Sequence, residues 1–263
     1  MSFIRRYPFM SFFLIAFGWS WLNDYVGYYL VDQKPGLFSL TLTRTWGPLI
    51  AVLIVINAQG QSIQSWWKRV TYYRVAMKWY VAALALPFVL GETRSLIHWS
   101  AGAELQFQGY SPLLVVLNFV VVLFLGGALE ELGWRDYVQR YVQNTYSVIL
   151  VAIGVGVVWT LWHAPLFYLY DLPSYTANQF IPYLVTVVGL SLIFTWVYNG
   201  SGGVVLLPML AHATANLPSF TTTSGNVSEA VTSIASILHP TSFVVVGLIL
   251  LVIQNRFRPR TFT

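Results

Sequence analysis

Apolar stretches about as long as a bilayer crossing, roughly 20 residues, recur along most of this 263-residue chain. Each reads as a membrane-crossing helix, and together they leave no room for a soluble core. The composition agrees, with 57% hydrophobic and only 9% charged residues, where an ordinary soluble domain runs near 25% charged. The expected fold class is all-α: a polytopic membrane helical bundle of about eight transmembrane helices. We expect one integral membrane domain over 1–263, multi-pass, in the plasma membrane if the source is bacterial.

Hydropathy places the spans at roughly 8–30, 40–58, 78–98, 112–143, 147–168, 180–199, 203–218 and 235–254. The strongest basic cluster, Lys68, Arg69, Arg74 and Lys78, contains no acid and is expected to face the cytoplasm. Arg5 and Arg6 before the first span, and Arg256, Arg258 and Arg260 after the last, then put both termini on that side. The opposite connections hold Asp24 and Asp32, Glu92 and Glu104, and Asp171. The formal charge of +5 falls in these short clusters, so it reads as a topology signal with no nucleic-acid partner. The start, MSFIRRYPFM, has the charged region of a signal peptide but no small-residue cleavage site before Trp19 and Trp21, so the first span is expected to be retained. The chain has no cysteine, which excludes disulfides, thiolate metal sites and a cysteine nucleophile.

Against this background GGALEELGWRDYVQR, Gly126 to Arg140, is anomalous. Glu131 and Arg135 stand four apart with the acid first, the favoured order for an intrahelical ion pair. Glu130 lacks that partner, and a carboxylate at mid-bilayer costs on the order of 3 kcal/mol, so it should face protein or a water-filled cavity. A plainer reading, a cytoplasmic helix end with solvated charges, suits Asp136 and Arg140. The fourth segment is too long for a simple crossing; it must tilt, break near Gly126-Gly127, or emerge.

Two other sites bear on the choice. His163 lies in VVWTLWHAPLF with Trp159 four residues earlier on the same face and Pro165 just after it. His212 and Asn216 share a face in LLPMLAHATANLP, between Pro208 and Pro218. If the fourth and fifth spans turn near 144–147, Glu130 and His163 are each roughly 16 residues from the turn and level in the membrane. A turn at NGSGG puts His212 about ten residues deep. All of these groups, which lie within about 112–218, can then converge on one internal cavity opening toward the cytoplasm.

These residues resemble the motifs of the CPBP intramembrane proteases, which include type II CAAX prenyl endopeptidases and bacterial abortive-infection-like proteins. EExxxR appears as Glu130-Glu131-Leu-Gly-Trp-Arg135. FxxxH appears as Trp159-Thr-Leu-Trp-His163, with tryptophan for the usual phenylalanine, and the third motif as His212-Ala-Thr-Ala-Asn216. The resemblance implies glutamate-dependent hydrolysis of a peptide bond in a membrane-associated protein or peptide, prenylated in one branch of the family. It assigns Glu130 and His163 to activating water, His212 and Asn216 to the oxyanion, and Glu131, Arg135 and Trp159 to support. Desolvated acids and preorganised donors suit such chemistry.

Three rivals stay open. Glu130, His163 and His212 are the ligand types of a hydrolytic zinc site, although the chain lacks HExxH and the resemblance implies no cofactor. Ser201 in NGSGG could be a nucleophile, but it lacks the residue order of a nucleophile elbow. A noncatalytic scaffold or small transporter could use the same polar cavity, without the inverted pair of broken segments common in transporters. His98 and His239, near span ends, receive no role. Trp66, Trp67, Trp79 and Trp99 fit interfacial aromatic belts, and QSIQSWWKRVTYYR fits an amphipathic helix on membrane lipid.

Overall fold

In a computed structural model, which describes residues 3–30, 43–169 and 175–257, some helices start where the sequence satisfies or dispenses with their free N–H groups. Helix α1 (Pro8–Leu30) packs along the short α2 (Gly47–Ala58), which has Pro48 in its first turn. Ser62 accepts from Ser65 N at 3.2 Å and caps α3 (Ile63–Val70). Helix α4 (Met77–Gly91) bends by 46° into α5 (Thr93–Ser100), and strand β1 (Glu104–Phe107) follows.

Helix α6 (Pro112–Phe124) begins on a proline, whose missing N–H costs nothing there. The chain then passes through a 3-10 turn (Gly127–Leu129), α7 (Glu130–Gly133), a π-helical stretch (Trp134–Gln139) and a last turn to Val142. Ser147 Oγ accepts from Leu150 N and caps α8 (Val148–Trp162), which leads into α9 (Ala164–Leu169). Helices α10 (Phe180–Gly200) and α11 (Leu206–Ala215), strand β2 (Thr221–Ser224) and α12 (Glu229–Phe257) complete the fold. The most extensive helix contact joins α10 to α12. A Cβ on Gly189 would stand 2.4 Å from that of Phe243, so glycine lets the two backbones approach, as is common between membrane helices.

The chain is mostly helical, with several long apolar helices consistent with a multi-pass membrane protein, while the expected eight spans are not all shown. Among the described residues four helical stretches are long and apolar enough to cross: 112–142, 148–169, 177–200 and 229–255. The bent pair α4–α5 makes a fifth if taken as one span. Helices α2 and α11 have 12 and 10 residues, which at about 1.5 Å per residue fall well short of a crossing. Helix α1 is long enough at 23 residues but carries Asn23 and Asp24 near its end. Leu113, Leu114, Val116 and Phe124 on α6 are exposed, as a lipid-facing helix requires.

Other expectations also change. The all-α class is modified by one antiparallel ribbon, with Glu104 opposite Ser224 through Phe107 opposite Thr221. Glu92, expected in an external connection, is buried at the α4–α5 bend. Its carboxylate accepts from Phe220 N (2.7 Å), Thr221 N (3.0 Å), Ser219 Oγ (2.8 Å) and Thr221 Oγ1, fastening the ribbon. Asp24 is likewise buried within α1, 2.8 Å from Arg44. Trp66 and Trp79 are buried rather than interfacial: Trp66 donates to Asp136, and Trp79 stacks edge-on to Trp196 with its centroid 4.8 Å away. Trp67 and Trp99 are exposed. Asp32, Asp171, Arg258 and Arg260 lie outside the described residues.

Candidate active site

The anomalous stretch begins at a break in the helix, one of the three outcomes its length allowed. After Leu125 the α-ladder stops, and Leu129 N bonds to Gly126 O in a 3-10 turn at 3.1 Å. A Cβ on Gly127 would lie 2.6 Å from His212 Nε2, so the absence of a side chain lets the α11 imidazole sit against the turn. Beyond α7 the backbone widens into the π-helix, a form often found at functional sites. Trp134, Arg135, Asp136, Val138 and Gln139 are all buried within it. Asp136 is therefore not a solvated helix end: it receives Trp66 Nε1 at 2.9 Å and both Nε and Nη2 of Arg69, at 3.0 and 2.8 Å.

Glu131 uses both carboxylate oxygens. Oε2 accepts from Arg135 Nε at 2.7 Å, and Oε1 lies 2.8 Å from His212 Nδ1. Paired with arginine, this carboxylate can only accept, so His212 carries its proton on Nδ1 and turns Nε2 toward Gly127. Arg135 Nη1 donates to Ser191 Oγ at 2.9 Å, and Ser191 Oγ passes on to Ala152 O at 2.6 Å. The guanidinium also lies over the rings of Trp159 and Phe194, 5.7 and 5.6 Å from their centroids, within cation–π range. Both members of the ion pair are 0% exposed.

Glu130 is 2% exposed and faces protein, not lipid. Its Oε2 accepts from Trp159 Nε1 at 2.7 Å, while Oε1 has no protein partner among the described residues. The Trp159 carbonyl in turn lies 2.9 Å from His163 Nδ1. A carbonyl only accepts, so Nδ1 holds the proton and Nε2 presents a lone pair. Trp159 thus orients the acid through its indole and the base through its backbone. Its ring lies 6.1 Å from that of His163 and 5.2 Å from that of His212, centroid to centroid. Among the described residues no direct hydrogen bond joins Glu130 to His163, and both leave one polar atom uncommitted. The tryptophan in the phenylalanine place of FxxxH supplies a donor that phenylalanine lacks.

Among the described residues Asn216 shares no hydrogen bond with the side chains of this cluster. It lies exposed at the end of α11, and its Nδ2 donates to His212 O at 3.1 Å, capping its own helix. Ser201 Oγ donates to Tyr198 O at 3.0 Å in a glycine turn, with neither histidine nor carboxylate beside it among the described residues. His98 and His239 tie elements together through Thr223 and Thr93. No group of three or more His, Asp or Glu side chains able to hold a metal ion occurs among the described residues.

Several surrounding residues were not singled out from the sequence. Ser191 and Gln139 accept from Arg135 Nη1, Thr195 Oγ1 donates to Gln139 in turn, and Tyr183 lies 5.5 Å from the His163 ring. Tyr175, beside Tyr183 in the connection before α10, has its hydroxyl pushed above the usual range by burial and stays a neutral donor. Asp24 and Arg44 were detectable as an acid and a base within otherwise apolar surroundings.

Residues 112–218 match a family model described as type II CAAX prenyl endopeptidase Rce1-like. A curated relative from Methanococcus maripaludis, named CAAX prenyl protease 2, is 27% identical over 208 residues, covering 75% of this chain and 74% of the relative.

Proposed function

We propose, for a chain that belongs to the Rce1-like type II CAAX prenyl endopeptidase family, that it hydrolyses a peptide bond in a prenylated, membrane-associated substrate. The observation that carries this reading is the double use of Trp159, which aims one free atom each from Glu130 and His163 while holding the rest of both groups. A water between Glu130 Oε1 and His163 Nε2 loses a proton to Glu130 as its oxygen attacks the scissile carbonyl. The C–N bond then breaks, and the proton passes to the departing amine.

The tetrahedral oxyanion needs donors. His212 provides one when Nε2 is also protonated, an imidazolium that the Glu131 carboxylate stabilises across Nδ1. Asn216 serves as the second by turning its amide from His212 O or by using its other N–H. No step calls for a metal. In orientation, we place the basic residues Lys68, Arg69, Arg74 and Lys78 and both termini in the cytoplasm. We read α1, α2 and α11 as membrane-embedded members of the bundle, sheltered by its longer helices.

The test is cleavage of a synthetic prenylated peptide by purified protein in the presence of EDTA. Wild-type activity should persist and a Glu130→Ala control should have none. Equal signals from the two proteins would leave only binding or contamination, and loss of wild-type activity restored by zinc would favour a metal centre. Within this mechanism, Trp159→Phe restores the usual family aromatic but removes the donor to Glu130. We expect kcat to fall by about 10-fold with KM little changed, the pattern of an interaction used in the transition state. Unchanged kcat would mean that Glu130 is oriented by other groups.

A further inference from the structure

We infer that Asp24 and Arg44, both outside the matched residues 112–218, form a positioning pair that sets His163 through the carbonyl of Trp162. The inference rests on the proposed hydrolysis by Glu130 and His163.

The carbonyl of Trp162 is left over by the break between α8 and α9. Leu166 N, its ordinary helical partner, bonds to His163 O instead at 3.0 Å, and Pro165 has no N–H to offer. A buried carbonyl without a donor is costly. Two donors from the amino-terminal part of the chain fill the gap: Arg44 Nη2 and Trp21 Nε1, each 3.1 Å from Trp162 O. Trp162 is the residue directly before His163, so holding this carbonyl holds the peptide plane from which His163 hangs.

The pair is itself firmly built. Arg44 Nε donates to Asp24 Oδ1 at 2.8 Å, and the guanidinium carbon lies 3.9 Å from the Trp162 ring centroid. Ser20 Oγ donates to Arg44 O at 2.7 Å and Trp19 Nε1 to Thr43 O at 2.8 Å, fastening the segment before α2 onto α1. At Gly47 a Cβ would come within 2.6 Å of Ala16 O, so glycine allows that close approach. The Trp162 indole completes the link by donating to Ala16 O at 3.3 Å. Asp24 compensates the arginine charge. An arginine serves here because its fork bonds two acceptors at once, whereas lysine offers a point charge without that geometry.

The experiment is steady-state cleavage of the prenylated peptide by the full-length protein carrying Arg44→Gln, Arg44→Lys, Trp21→Phe or the pair Arg44→Gln/Trp21→Phe. Arg44→Gln should lower kcat by about 10-fold and Trp21→Phe by about 3-fold, with KM within about 2-fold of wild type. Arg44→Lys should recover only part of the loss. Because both donors act on one carbonyl, the double variant should lose less than the product of the two single losses. Trp21→Phe keeps the ion pair intact, so it decides the matter if the arginine variants fail to fold. A raised KM with unchanged kcat would make Arg44 a substrate contact and overturn the inference, as would wild-type kcat in Trp21→Phe. Hydrogen exchange over residues 160–169 reads the pinning without catalysis. Faster exchange there in Trp21→Phe supports it even if wild-type protein proves inactive, an outcome that would instead overturn the proposed hydrolysis; unchanged exchange overturns the pinning.

Discussion

Glu130→Gln is expected to abolish peptide cleavage while the protein remains folded. Glutamine has the shape of the acid, and its amide oxygen can still accept from the Trp159 indole, the hydrogen-bond donor to the Glu130 side chain among the described residues. It cannot take a proton from water, and a positioned general base contributes about 100- to 10,000-fold to rate. The single-turnover rate constant should fall by at least that order, with melting in detergent unchanged. A variant that retained more than a tenth of the wild-type rate would remove Glu130 from the chemistry, and with it the proposed mechanism. Glutamine at this buried position also carries no charge to desolvate, so a stability loss is not expected to complicate the comparison.

Arg135→Ala should have the largest effect on stability. The Arg135–Glu131 pair is fully buried, and removing one partner of such a pair typically costs about 3–5 kcal/mol because the other charge is stranded. His212 remains against Glu131, which places the expected loss toward the lower end. Ser191 Oγ also loses the Arg135 donor that it accepts. The double variant Glu131→Met/Arg135→Met replaces the charges by apolar side chains of similar length and should recover much of the stability. It should not recover activity, since the carboxylate that fixes the His212 ring is gone. Melting temperature and kcat measured on the same three proteins separate the two effects. If Arg135→Ala melts like wild type, the pair is solvated and the buried network described above is wrong.

Much of this site was readable from local spacing. Glu131 and Arg135 meet because residues four apart on a helix are neighbours, and Trp159 and His163 meet for the same reason. Gly126-Gly127 marked a break because glycine weakens a helix, and the break occurs there. Asn216 shows the limit of the same rule. Its spacing from His212 did bring the two together, but through a bond to the backbone carbonyl rather than to the imidazole. Asp136 shows another limit: it looked like a solvated helix end until a tryptophan and an arginine about 70 positions away in sequence were found holding it.

The sequence by itself determined that the chain enters the membrane as apolar helices and that a few charged and polar side chains enter with it. Hydrocarbon tolerates nothing else over such lengths, and burying those charges without use is too costly. Only the tertiary structure decided which of them meet. His212 reaches Glu131 across 81 positions, and Arg44 reaches Trp162 across 118. Those meetings depend on where glycines let backbones approach and where a helix break frees a carbonyl. Neither is set by a repeat within one helix, so no local pattern announces them.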